Sequence, residues 1–135
     1  MKPLTRTTLA VLAALVALAA RAAADQSQAE LRKLQGSWDL VVEEVDGERM
    51  PEPLIRDVSL VVEGDRRTLR TDQEIRHRAV VRLHPAATPP QVDLAYSAGA
   101  PPNAKGIGIY SIAGDRLKSM LINPAIALAA QSCRQ

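Results

Sequence analysis

EIRHRAVVRL, residues Glu74 to Leu83, decides the reading of this chain. Ile75, His77, Ala79, Val81 and Leu83 fall on one side, and Arg76, Arg78, Val80 and Arg82 on the other. Alternation with a period of two marks a half-buried antiparallel strand, because successive side chains of a strand point to opposite faces. Thr71-Asp72-Gln73 turns the chain before it, and a loop with three prolines, His84 to Pro90, follows.

Outward from this stretch the same pattern recurs. Trp38–Val45 (WDLVVEEV), Asp57–Glu63 (DVSLVVE) and Arg66–Thr71 read as strands before it. Gln91–Tyr96, Lys105–Ile112 (KGIGIYSI) and Arg116–Ile122 read as strands after it. Asp46-Gly47, Gly64-Asp65 and Ala113-Gly114-Asp115 are turn signals, and Glu48–Arg56, with two prolines, reads as a loop. Gln26–Leu34 suits a short helix, with Ser27 as its cap and Glu30 three residues on. Seven short strands without βαβ spacing predict an all-β antiparallel sandwich or barrel.

The amino terminus reads differently. Lys2 and Arg6 precede an unbroken apolar run, Leu9 to Ala20, and Ala22-Ala23-Ala24 precedes Asp25. This is the layout of a secretory signal peptide, residues 1–24, with a mature domain over 25–135. Twelve apolar residues are too few to span a bilayer. The expectation is an exported protein, periplasmic or extracellular, with no stable membrane span after cleavage.

Composition excludes several function classes. The 135-residue chain has one Cys, two His, one Trp, two Tyr and no Phe. Stacking platforms for single-stranded nucleic acid are therefore lacking. Segment 1–24 carries Lys2, Arg6 and Arg21 and no acid, so the formal +2 of the whole chain becomes −1 in the mature domain, and no nucleic-acid partner is expected. No Cys/His cluster has zinc spacing, so neither a metal nor a cofactor is expected. No nucleophile elbow, zincin motif or phosphate-cradling loop is present, and Glu43 and Glu44 face opposite ways on a strand. The protein is read as a non-enzyme. Cys133, three residues from the carboxyl end, reads as incidental.

A short helix, then Gly36-Ser37-Trp38 opening the first strand, is the Gly-x-Trp signature of lipocalin-like barrels. Leu34-Gln35-Gly36-Ser37-Trp38, Val45-Asp46-Gly47, Asp93-Leu94, Gly108-Ile109-Tyr110 and Gly114-Asp115-Arg116-Leu117 follow in order. Over roughly residues 31–123 the chain resembles a family of small exported lipocalin-like domains abundant in planctomycete bacteria. The resemblance implies an up-and-down β-barrel and an exported location, and no reaction. It also implies a sealing role for Trp38, packed against a basic residue of the last strand, for which Arg134 is the candidate. The sequence departs from the family pattern after Asn123-Pro124, where the Ala-rich AIALAAQSCRQ has poor β-propensity. Whether the last strand forms stays open here. An unclosed barrel would offer an edge for self-association.

Two candidate sites follow. The barrel interior is read as Leu40, Val42, Val58, Leu60, Val62, Ile75, His77, Val81, Val92, Leu94, Tyr96, Ile107 and Ile109, either a packed core or a pocket for a small apolar or amphipathic ligand. His77 reads either as a group orienting such a ligand or as a core-edge histidine. The second site is an arginine face. Residues 66–135 carry 10 bases and 4 acids, and Arg76, Arg78 and Arg82 point outward together, beside Arg66, Arg67 and Arg70 on the preceding strand. This face is read either as a solvated surface or as a site for an anionic partner of the cell envelope.

Overall fold

The computed structural model describes residues 6–123 and 127–135; Lys2 and the Ala125-Ile126 part of the Ala-rich ending lie outside them. Helix α1, Arg6–Leu34, leads into strand β1, Gly36–Val45. The two-residue β2, Glu48–Arg49, and a short helix α2, Glu52–Ile55, follow. Then come β3 (Ser59–Glu63), β4 (Arg66–Arg70), β5 (Ile75–His84), β6 (Gln91–Ala98), β7 (Lys105–Ala113), β8 (Arg116–Asn123) and β9 (Ala127–Arg134). Every neighbouring pair is antiparallel, in the order β2-β1-β3-β4-β5-β6-β7-β8-β9, and β9 also pairs with β1. Strands β1 and β3–β9 thus form a closed eight-stranded barrel, with β2 hanging from β1.

Closure answers the open question about the last strand. Leu40 lies opposite Cys133 and Val45 opposite Ala129, while Leu117 lies opposite Cys133 on the other side. A strand bonded along both edges gains its stability from pairing and burial, which outweighs the weak β-propensity of alanine. The edge expected to invite self-association is taken up by this seam.

Short connections fix the neighbouring pairs. Asp46 and Gly47 both have positive φ, 52° and 82°, the conformation a two-residue type I′ hairpin demands. Gly99 is required by crowding as well: a Cβ there would lie 1.7 Å from the Arg76 carbonyl oxygen, and its φ is 75°.

Helix α1 is far longer than the expected Gln26–Leu34, and Ser27 does not cap it. Ser27 lies within the helix and its Oγ donates to the Leu83 carbonyl at 2.9 Å. The end of α1 closes one mouth of the barrel. Leu34 is buried there, and Trp38, fully buried, donates from Nε1 to the Leu34 carbonyl at 2.8 Å. The indole is thereby satisfied locally, and Arg134 is exposed opposite Asp39. Gln35 exchanges two 2.8 Å hydrogen bonds with the backbone of Gly64, one in each direction. The other mouth is covered by α2, whose Ile55 is buried with Val58. The amino-terminal part of α1 is unburied, and the helix is long and apolar enough to cross a membrane by length and composition, as a signal sequence near an amino terminus also is.

Candidate functional site

Three bulges decide which side chains reach the interior. The pairing of β1 with β9 skips Val41, that of β4 with β5 skips Arg76, and that of β5 with β6 skips Ser97. Each extra residue reverses the alternation beyond it. Beyond Val41, Val42 turns outward and Glu43 turns inward, where it is 8% exposed. On the far side of Arg76, Ile75 turns outward and lies opposite Arg70.

The interior reading is corrected at four positions, at two of them, Val42 and Ile75, because of these bulges. Leu40, Val58, Leu60, Val62, Val81, Val92 and Leu94 are buried in the core. His77 and Tyr96 are partly buried and meet edge to face, ring centroids 5.8 Å apart. Val42, Ile75, Ile107 and Ile109 lie on the outside. On β7 the inner positions belong to Gly106, Gly108 and Tyr110. The ring of Tyr96 reaches over Gly106, where a Cβ would sit 3.3 Å from it, so a large residue of β6 fills the space that β7 leaves.

A polar chain crosses this interior. Arg67 points inward and its Nη2 donates to Gln131 Oε1 at 3.3 Å; Gln131 Nε2 donates to Glu43 Oε1 at 3.0 Å. Gln131 and Glu43 are both buried. Burial holds the Arg67 guanidinium below its ordinary pKa, against the opposing influence of Tyr96 and Cys133. Burial, and next the charge of Arg67, lower the pKa of His77, while a backbone hydrogen bond at Gly99 works the other way. The Cys133 thiol is pushed up to about 11 and the Tyr110 phenol to about 12, each chiefly by burial, so both stay protonated near neutral pH. The inner cavity measures only about 30 Å³.

The larger concavities are on the outside. One of about 590 Å³ lies on β3, β4 and β5, lined by Val61, Glu63, Arg66, Thr68, Arg70, Ile75, Arg78 and Val80 among others. Their registers explain the clustering: Arg66 lies opposite Glu63 and Val80, Thr68 opposite Val61 and Arg78, and Arg70 opposite Ser59 and Ile75. No carboxylate lies within 4.0 Å of Arg66, Arg70 or Arg78 among the described residues, which include every Asp and Glu of the chain. Of the expected face, Arg78 lines this concavity and Arg82 is exposed farther along β5. Arg76 instead reaches the covering segment, its Nη2 3.3 Å from the Leu54 carbonyl. A second groove, about 430 Å³, runs over β7, β8, β9 and β1 and is lined by Val42, Pro89, Pro90, Ile109, Met120 and Ala130, with Lys118 and Glu44.

The expectations missed the inward course of Arg67 and its partners. A signal for Arg67 was present, since it stands two residues before the buried Leu69. Glu43 carried no such signal, because it faces inward only through the Val41 bulge. His84, without an expected partner, pairs with Asp93 at 2.8 Å. No group of three or more His, Cys, Asp or Glu side chains could hold a metal among the described residues.

Neither family models, curated proteins nor solved structures gave a match to this chain, so its class rests on geometry: a closed, antiparallel eight-stranded barrel with an amino-terminal helix.

Proposed function

We propose that this protein is an exported, lipocalin-like, non-enzymatic binding module that takes a carboxylate- or phosphate-bearing polymer of the cell envelope in the arginine concavity of β3–β5. The observation that carries this reading is the grouping of Arg66, Arg70 and Arg78 in one 590 Å³ concavity with no carboxylate within 4.0 Å of them. Guanidinium groups present planar forks of donors that match carboxylates and phosphates. The apolar α1 supports the export part, and the Gly36-x-Trp38 opening of a closed barrel supports the lipocalin-like part. A small apolar ligand inside the barrel has about 30 Å³ to draw on, whereas pockets for organic ligands measure roughly 300 Å³ or more.

Fluorescence anisotropy with labelled polyphosphate and with polygalacturonate tests the reading, with neutral dextran as control. Binding to at least one polyanion should weaken steeply with added salt. At up to about 1 kcal/mol per exposed charge contact, the triple change Arg66→Ser, Arg70→Ser, Arg78→Ser should cost between roughly 10- and 100-fold in affinity. Equal affinity for dextran, or a triple variant that binds as well as the parent, would overturn the proposal.

A further inference from the structure

The interior of the barrel holds a positive charge without a direct counter-ion. Arg67 makes one hydrogen bond among the described residues, and its acceptor is the neutral amide oxygen of Gln131. Gln131 separates it from Glu43, and none of the chain's carboxylates lies within 4.0 Å. Arg67 is half-buried, and an ionised group taken partly out of water is stabilised by any negative charge that reaches it. The nearby Cys133 thiol does not supply that charge at neutral pH, because burial pushes it up to about 11.

Arg67 also borders the inner cavity of about 30 Å³. Tyr110 and Ser119, opposite each other in the sheet, border it too, and the rest of the wall is aliphatic, with Leu34, Leu94 and Leu117. The Tyr110 hydroxyl is buried without a hydrogen-bond partner among the described residues. Glu30, at the end of α1, helps keep that phenol protonated and so able to donate. A cavity needs roughly 10–15 Å³ to admit one water, so this one is sized for a single ion with little to spare and is too small for a carboxylate-bearing metabolite.

We infer that this cavity is a halide site, in which a chloride-sized inorganic anion sits against the Arg67 guanidinium beside Tyr110 and Ser119. The ion serves as the missing counter-charge and binds the folded barrel, so it stabilises the fold in proportion to its concentration.

The test begins on the unaltered protein. Thermal unfolding is followed while chloride replaces gluconate at constant ionic strength. The midpoint should rise by about 5 °C once chloride exceeds its dissociation constant roughly tenfold. Crystals grown in bromide should show an anomalous peak within hydrogen-bonding distance of Arg67. The surface change Arg66→Ser with Arg78→Ser should keep the chloride dependence, and Arg67→Met should abolish it. Should Arg67→Met fail to fold, the bromide peak and the chloride series on the parent protein still decide. A midpoint indifferent to the choice of anion, a cavity that holds water alone, or a chloride effect lost with the surface pair would each overturn the inference.

Discussion

The wall centred on β4 and the wall centred on β8 face each other across the ring, and their outer surfaces have opposite chemistry. On β4 and its neighbours the outward positions are Arg66, Thr68, Arg70 and Arg78. On β7 and β8 they are Ile107 opposite Ile122 and Ile109 opposite Met120, exposed by 57%, 53%, 40% and 45%. Behind both walls lies aliphatic filling, Leu69 on one side and Leu121 on the other, with the inward Arg67 beside Leu69 on β4. The comparison teaches that inner positions alone are fixed by packing. Outer ones are free to carry function, and an exposed contiguous apolar surface rimmed by polar groups is unusual enough to count as a feature.

The largest effects should come from the shared interior. Leu69→Ala and Leu121→Ala should each lower stability by about 2–5 kcal/mol in denaturant unfolding, and by similar amounts. A much smaller loss at Leu121 would break the equivalence of the two walls from within. Next come the outer isoleucines. Ile107→Thr with Ile122→Thr should change stability by roughly 0.5 kcal/mol or less and reduce binding of a hydrophobic dye such as ANS. A drop above about 2 kcal/mol would mean that the apolar wall supports the fold as the core does. The smallest effect distinguishes the walls by titration. Behind the arginine wall stands His77, whose pKa is lower folded than unfolded, so the unfolded chain binds more protons. The stability it contributes is full above its unfolded value of about 6.5 and falls away as pH drops below it toward the folded value. His77→Gln should flatten that part of the stability profile between pH 7 and 5; an unchanged slope would assign it to other groups.

Much of this architecture was legible in residues. Seven barrel strands followed from alternation and turn dipeptides, as at Glu74–Leu83 and Asp46-Gly47. The eighth was obscured because Ala127–Arg134 owes its strand conformation to two neighbours and not to its own composition. Val42 and Ile75 were misplaced because a bulge is set by the partner strand, which no local pattern reveals. Ile107 and Ile109 were misplaced for another reason. In KGIGIYSI the bulkier set looks like the inner one, yet Tyr96 from β6 occupies the interior above Gly106. Of the arginine site, the two strands could be read but the grouping could not. Arg67 and Arg76 leave the outer face for the core and the covering segment, and Arg66 and Arg70 take their place beside Arg78.

The seam between β1 and β9 has a kinetic consequence. Every other neighbouring pair of barrel strands is also adjacent along the chain apart from the small β2–α2 excursion, so those pairs close short loops. The seam alone joins Asp39 to Arg134 and must wait for the rest of the ladder, since closing a long loop is entropically slow. The loop-closure cost makes this seam the pairing expected to form last in folding.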